Sequence, residues 1–549
     1  MRAHTRMSLV LALTGAACSA PVAPSAAPGA VPHVITAALR PDAPNAAALL
    51  FRFDPGDDVE HYDSAGGHIR VHFTRAGDNA VRALDEDDDG TPDDVVVVAD
   101  TYEAVLANQA TLGFRAPVSD SATAGGDGGD DRFDVYLLDF AGVADGTFVR
   151  ERCGANGAGP SVCSGYMVQE NDYAGYGYPS FTIATRILSS HELFHAVQAA
   201  YDDGQGANWT EATAVWATEQ FDASLFDFEG FLSGWFERPD RSVDTEPTGP
   251  VDGYSYGLAI LPQYLSERFG AGIVREIWDD AVDGAQGVAD PHWLEVLAER
   301  LETDYATTFE AAWHEFARWV VQSGIGGPAG TTWANAGFYP RVARTAVEAP
   351  ASIERLRMFR ASLRAWTLAP AGRAVMAAEL VSPDAADFEG QGLILAARKG
   401  TNVTVANADG AYVELGVAGA NEVIVVVASG LTTGGSKRPS LCIGSVDEVG
   451  ACKAAILAQG TPEATEVGET GPETDAAETA PDEASVADGS VATSEAEDAD
   501  TATAEGGDRA PDSNVTPAEG DGCAGGTAAP CALLAAIAFG GGRRRAKRA

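Results

Sequence analysis

The segment His191-Glu192-Leu193-Phe194-His195 constrains this chain more than any other part of its sequence. Residues four apart on an α-helix lie on one face about a turn apart, so both imidazoles can point at one cation while Glu192 reaches a water bound to it. With nine His in 549 residues, a chance match is expected only ~0.01 times. Apolar neighbours such as Ile187 and Val197 predict a buried helix over 184–202. Two core histidines satisfied by hydrogen bonds are the alternative.

A zinc hydrolase needs a third protein ligand and an open fourth position for water. Glu211, near the start of a second predicted helix over 209–221, is the best-placed acid. A three-histidine site would need another histidine soon after His195, and none occurs before His292. Asn208 followed three residues later by Glu is also a capping-box arrangement, in which Glu211 would bind the backbone instead. We favour the role of Glu211 as a zinc ligand, with the capping role as the alternative.

The residues around Glu211 resemble a family. Trp209-Thr210-Glu211-Ala212-Thr213-Ala214 is similar to the second-helix motif of gluzincin metallopeptidases, although Trp209 stands one residue closer to the acid and Ala212 replaces the usual Gly. The resemblance implies a zinc ion bound by His191, His195 and Glu211. It also implies that Glu192 is the general base that activates water for attack on a peptide bond.

Tyr254-Ser255-Tyr256-Gly257 is similar to the segment that supplies a transition-state tyrosine in some gluzincins. This similarity nominates Tyr254 as a catalytic residue, with Tyr256 and His292 as the next candidates.

The wider order of motifs, over residues 46–325, resembles secreted metallopeptidases of myxobacterial type. The motifs that precede the His-Glu-x-x-His helix are a strand, an acidic loop and a second strand: His68-Ile69-Arg70-Val71-His72-Phe73, Asp89-Gly90-Thr91-Pro92-Asp93 and Phe133-Asp134-Val135-Tyr136-Leu137. This resemblance favours the gluzincin assignment and does not identify a substrate.

An acidic loop suggests a calcium site. Asp85, Asp87 and Asp89 alternate before Gly90, as carboxylates do in oxygen-rich calcium loops. Val96 stands at the twelfth position, where such loops carry a bidentate acid. A solvated acidic turn without an ion is the alternative.

The charge of the chain excludes one class of partner. Its 80 acidic and 36 basic residues give a formal net charge of −44. Because nucleic-acid affinity comes mostly from Lys and Arg that neutralise phosphates, we expect no nucleic-acid partner. The excess of acidic over basic residues also predicts that divalent cations stabilise the folded part.

The amino-terminal end has the layout of an export signal. Residues 1–18 carry a basic start, the apolar run Met7–Leu13 and small residues before Cys18. Cys18 suits either lipidation or ordinary signal cleavage nearby. A linker rich in Pro and Ala follows over 19–45.

The carboxyl-terminal end predicts a stalk and an anchor. Residues 457–521 are acidic and poor in large apolar side chains, so they should form a disordered linker. Residues 522–549 contain Cys523, a short apolar stretch and a cluster of Arg and Lys. This order resembles myxobacterial-type surface-sorting signals and predicts an exported protein at the cell surface or outside the cell.

Cys531 also lies in the predicted sorting signal, and the other four cysteines form two local pairs, Cys153 with Cys163 and Cys442 with Cys452. In an exported protein each pair predicts a disulfide. Zinc ligation by these cysteines is the weaker interpretation, because neither pair has the tight spacing of a thiolate knuckle.

The periodicity predicts an α+β fold. A zincin-like domain over 46–349 would hold a mixed sheet in its first half and helices in its second half. A β-rich, sandwich-like module is predicted over 350–456.

The leading functional hypothesis is a secreted or surface-anchored zinc metalloendopeptidase acting on peptides or proteins. The alternative is a non-catalytic surface adhesin whose metal site is structural or vestigial. A structural site has no use for a base such as Glu192 beside the metal. An aminopeptidase is disfavoured because the chain has no convincing Gly-x-Met-Glu-Asn-like motif.

Overall fold

The structure, a computed structural model, describes residues 40–43, 46, 49, 51–121, 128–154, 161–282, 291–408 and 410–459. The predicted export signal, most of the linker, nearly all of the acidic tract and the predicted sorting signal lie outside the described residues. Among the helices that the structure describes, none combines the length and apolar character of a membrane span. The architecture is α+β, as predicted.

A five-stranded mixed sheet begins the fold. Its strands are β1 (Glu60–Asp63), β2 (Ile69–Phe73), β3 (Phe133–Leu138), β4 (Gly146–Cys153) and β5 (Cys163–Glu170). The spatial order is β1-β2-β3-β5-β4, in which β2, β3 and β5 are parallel and the two edge strands are antiparallel to their neighbours. The strand β4 therefore has one edge that no other strand of this sheet covers.

Two long helices, α1 (Asp93–Thr111) and α2 (Phe181–Gln198), pack against one face of this sheet. Helix α1 begins at Asp93 after the N-cap residue Pro92, and the two aspartates in its first turn complement the helix dipole. The strands contribute alternate apolar residues, such as Val71 and Val135, to a core shared with both helices.

The opposite face of the sheet holds a buried arginine from the predicted linker. Arg40 is 3% exposed and donates from Nε and Nη2 to the Glu151 carboxylate at 2.8 and 2.6 Å. Its guanidinium also pairs with Asp120 and Asp134, which are buried too. The folded part thus includes Arg40, which precedes the predicted boundary at residue 46.

Helices dominate the second half of the predicted catalytic domain. They are α3 (Ala207–Asp222), α4 (Asp227–Phe231), α5 (Ser233–Phe236), α6 (Gly253–Gly257), α7 (Ile260–Phe269), α8 (Gly272–Asp280), α9 (Trp293–Thr303) and α10 (Phe309–Val321). Eight of the nine tryptophans lie in their common core. Large indole side chains bury much apolar area, so this core, which includes Phe194 and Val197 of α2, gives that helix a rigid support.

Two sheets, antiparallel except for one strand pair, and one helix form the carboxyl-terminal module. The first sheet contains β6 (Thr345–Ala346), β8 (Ser362–Leu368), β10 (Gln391–Lys399), β11 (Asn402–Asn407) and β13 (Glu422–Ser429), with β6 parallel to β8. The second contains β7 (Ala351–Ile353), β9 (Val375–Val381), β12 (Tyr412–Gly416) and β14 (Ser440–Gly444), and α11 (Val446–Ala458) follows. Ile394 and Ile424 belong to the core of the helical half, so the module shares that core.

Both predicted disulfides are present. Cys153–Cys163 joins the paired ends of β4 and β5, and Cys442–Cys452 joins β14 to α11. The cysteines are therefore not available as zinc ligands in the described residues.

Candidate metal centre

Helix α2 brings the two histidines of the motif together. The Ser180 hydroxyl accepts a hydrogen bond from the Ile183 backbone N–H and begins the helix, whose middle is buried. His191 and His195 follow on one face, and their Nε2 atoms lie 3.2 Å apart. Both ring nitrogens therefore point at one location, as the sequence predicted.

Glu211 reaches the same location from α3, which packs against α2. Its Oε2 atom lies 3.3 Å from Nε2 of His191 and 3.5 Å from Nε2 of His195. The three atoms form a nearly equilateral triangle. Ligands at ~2.0–2.1 Å from a tetrahedral zinc ion stand ~3.3–3.4 Å apart, so the triangle fits one such ion.

The Glu211 oxygen that faces the histidines has no other partner of good geometry. Oε2 is buried and accepts no well-aligned hydrogen bond in the described residues, and an isolated buried carboxylate is costly. Burial alone would raise the pKa of Glu211, but His195 and His191 lower it to about 2. Burial opposes the charged form of His195, and Glu211 raises its pKa. The three side chains suit a shared cation.

The alternative role of Glu211 as a capping residue is wrong. Helix α3 has Gly206 as its N-cap, and the Glu246 carboxylate accepts the Asn208 N–H at 3.0 Å. Asn208 lies inside the helix, where its Nδ2 donates to the Val243 and Thr245 carbonyls at 2.9 and 3.0 Å. The side chain that would complete a capping box with Glu211 is thus used elsewhere.

Gln198 fixes the orientation of His195. Its Nε2 donates to the Thr210 carbonyl at 2.8 Å and to the Thr213 hydroxyl at 3.0 Å, which turns its Oε1 toward Nδ1 of His195, 2.8 Å away. Because Oε1 can only accept, Nδ1 carries the proton and Nε2 presents a lone pair to the metal position. Sequence reasoning missed Gln198, although its place three residues after His195 on the same helix was a usable signal.

Glu192 lies beside the two histidines and not among the three converging ligands. It is 4% exposed, and one of its oxygens lies within 4.8 Å of ring nitrogens of both histidines. Its Oε2 accepts a hydrogen bond from the backbone N–H of Phe148, in edge strand β4, at 3.0 Å. This contact orients the carboxylate. No sequence pattern indicated Phe148, because the contact depends on where β4 lies in the sheet.

The structure places Tyr256, rather than Tyr254, beside His191. The ring centroid of Tyr256 lies 6.0 Å from that of His191. Tyr254 is fully buried, and its hydroxyl donates to the Arg241 carbonyl at 3.0 Å. His292 begins α9, where its Nδ1 accepts a hydrogen bond from the Leu294 N–H. Positions two apart on a helix face nearly opposite directions, so only one of the two tyrosines can face His191.

The acidic loop has a different geometry from the predicted one. The carboxylates of Asp85, Asp87 and Asp93 offer oxygens within 4.8 Å of one another. Asp89 is not in this group, and its Oδ1 accepts a hydrogen bond from the Thr91 N–H at 2.7 Å. The sequence pattern identified two of the three clustered carboxylates, and the third comes from the first turn of α1.

Comparisons with known proteins leave the family open. No family model matches the chain, and no curated protein matches it. Among solved structures, one similar chain is a family GH115 4-O-methyl-α-glucuronidase with specificity for decorated arabinogalactans. It is 10% identical, covers 48% of this chain and gives a TM-score of 0.12, and the match spans 42% of the glucuronidase chain. A similarity at this level carries no argument about function.

Proposed function

We propose that this protein is a zinc-dependent endopeptidase with a zincin-like catalytic domain. The observation that carries the proposal is the triangle of His191, His195 and Glu211 ligand atoms, with 3.2–3.5 Å sides, beside the Glu192 carboxylate. Two imidazoles and one carboxylate are a ligand set of catalytic zinc sites, which keep a fourth position open. The gluzincin resemblance of the sequence points the same way.

The roles of the protein's own groups follow from their positions. Zinc bound by the three ligands would lower the pKa of a coordinated water and polarise a peptide carbonyl. Glu192 accepts the proton that the water loses and later gives it to the leaving amine nitrogen. The Phe148 N–H holds Oε2 of Glu192, which leaves Oε1 for proton transfer.

Strand β4 offers a place for the substrate backbone. It is an edge strand, and the Phe148 N–H already points from it toward Glu192. An extended peptide can add to such an edge by main-chain hydrogen bonds, with its side chains alternately facing the cleft and solvent. This arrangement supports peptide substrates over compact small molecules.

The direct test is proteolysis under metal control. The purified chain should cleave casein or a peptide library, lose this activity in a zinc chelator and regain it when zinc is added. Activity that the chelator removes would also exclude the alternative of a purely binding surface adhesin. Metal-replete protein that cleaves no peptide would refute the proposal.

Replacing Tyr256 tests which tyrosine assists catalysis. We expect Tyr256→Phe to lower kcat roughly 10²–10³-fold with unchanged zinc content, because it removes a donor beside the developing oxyanion. Tyr254→Phe is the matched control, since the Tyr254 hydroxyl donates a hydrogen bond to the Arg241 carbonyl. It should retain wild-type kcat and lose about 1 kcal/mol of stability. Equal kcat values for the two variants would contradict the role of Tyr256.

We also propose that the acidic loop binds calcium through Asp85, Asp87 and Asp93. These carboxylates offer oxygens within 4.8 Å of one another, and oxygen ligands of this kind are what calcium prefers. Millimolar calcium should raise the melting temperature of the wild type by a few degrees, as a binding energy of about 1 kcal/mol does. Asp87→Asn should remove this shift, and magnesium should not replace calcium. An equal shift in the variant would contradict the site.

We also propose, from the sequence of its two ends, that the protein is exported and attached to the cell envelope. The two disulfides support an oxidising compartment. Fractionation of the native host should recover the protein at the surface or in the medium. A Cys18→Ala variant tests whether a lipid at this residue contributes to the attachment.

A further inference from the structure

Helix α4 lies on the His191 side of the candidate metal centre. The ring of Phe231 in this helix stacks on Tyr256 with centroids 5.3 Å apart. The Tyr256 ring lies 6.0 Å from the His191 ring. This series of three rings connects α4 to the metal centre.

Asp227 is on the same face of α4. It precedes Phe231 by four residues, and helical positions four apart project from one face. Its side chain is half-buried, and burial raises its pKa to about 6, with His191 lowering and Asp145 raising it. Asp227 therefore shares with Phe231 the face of α4 that approaches Tyr256 and His191.

The Asp227 carboxylate has no partner of the kind that holds two other charged groups around the cleft. Asp145 accepts a hydrogen bond from the Tyr178 hydroxyl at 2.6 Å, and Arg150 of β4 is paired with Asp203. Within the described ranges, no hydrogen bond or ion pair holds Asp227. A partly desolvated carboxylate without a partner favours a cationic ligand.

The residue before Asp227 adds an apolar surface. Phe226 is 72% exposed and has a left-handed backbone with φ of 56°, which is unusual for a bulky side chain. The fold thus keeps an exposed aromatic ring next to Asp227. An aromatic face packs well against the aliphatic stem of Lys or Arg and attracts the charge at its end.

We propose that Asp227 selects a positively charged side chain next to the scissile bond, so that the substrates are cationic peptides. This inference rests on the proposed peptidase function and names the substrate class of the same site. The carboxylate pairs with the ammonium or guanidinium group, and Phe226 contacts the stem. The net charge of −44 adds long-range attraction for such substrates.

The kinetic test uses the full chain and matched peptides that carry Lys or Gln at either residue of the scissile bond. Of the two Lys peptides, the one that the wild type cleaves faster should have a kcat/KM about 10–100-fold above that of the matching Gln peptide, as expected for one charge-assisted contact. In Asp227→Asn this ratio should fall to about one, with wild-type zinc content. Asp240→Asn, at an exposed aspartate in the turn after α5, should retain the wild-type ratio.

A binding measurement separates this inference from the peptidase proposal. The Glu192→Gln protein should bind the Lys peptide about 10–100-fold more tightly than the Gln peptide. The double variant Glu192→Gln/Asp227→Asn should bind the two peptides with equal affinity. Equal affinities in Glu192→Gln, or a ratio that Asp227→Asn leaves unchanged, would overturn the role of Asp227. Selective binding without cleavage by the wild type would support Asp227 and refute the peptidase proposal. Loss of zinc from Asp227→Asn would contradict the role of Asp227 in substrate selection. It would indicate instead that Asp227 positions His191.

Discussion

Glu192→Gln should lower kcat/KM for peptide cleavage by roughly 10²–10⁴-fold, the usual contribution of a general base. Glutamine has nearly the same shape as glutamate, and its carbonyl oxygen can still accept the Phe148 N–H, so the local structure should persist. The proton acceptor is lost, while the three proposed ligands remain. Kinetics on a quenched fluorescent peptide measure the change.

The matched control is Glu299→Gln, an exposed glutamate on α9. It makes the same chemical change away from the metal centre and should leave kcat/KM at the wild-type value. Wild-type kcat/KM in Glu192→Gln would contradict the assignment of Glu192 as the base.

Arg40→Met should cost about 3–5 kcal/mol of unfolding free energy at pH 8, because it leaves three buried carboxylates without their cation. Arg40 is 3% exposed, and its partners Asp120, Asp134 and Glu151 are at most 4% exposed. Urea unfolding followed by tryptophan fluorescence gives the difference. The control Arg75→Met removes an exposed pair with Glu60 and should cost less than about 1 kcal/mol.

The loss caused by Arg40→Met should be smaller at pH 5 than at pH 8. Burial raises the pKa of Asp120 to about 7 even though Arg40 lowers it. A carboxyl whose folded pKa exceeds its unfolded value, ~3.9, binds its proton more tightly in the folded state, so its ionisation reduces stability as pH rises through that range. Without Arg40 the carboxyls can take protons at pH 5. A loss independent of pH would contradict this account.

The parts of the site that are local in sequence were predictable. His191 and His195 share a face by helical spacing alone, and the neighbours of Glu211 identified it as the best acid. Each disulfide closes a separation of ten residues, so the pairing could be inferred from spacing. The strands of the first half and the helices of the second half also followed from periodicity, which depends on neighbours along the chain.

The parts that depend on tertiary contacts were not predictable. Arg40 stands in a stretch rich in Pro and Ala, and only the folded sheet gathers its distant carboxylates around it. The choice between Tyr254 and Tyr256 depends on the rotation of α6 about its axis. The position of Asp227 depends on α4, a five-residue helix that is too short to produce a periodic pattern in the sequence. Contacts between segments far apart in sequence leave no local pattern.

The zinc content of the purified chain tests the central claim most directly. Elemental analysis should find about one zinc per chain in the wild type and in Glu192→Gln, because both retain His191, His195 and Glu211. Protein that is folded by circular dichroism, has been offered zinc and still contains none would contradict the metal centre and, with it, the proposed peptidase.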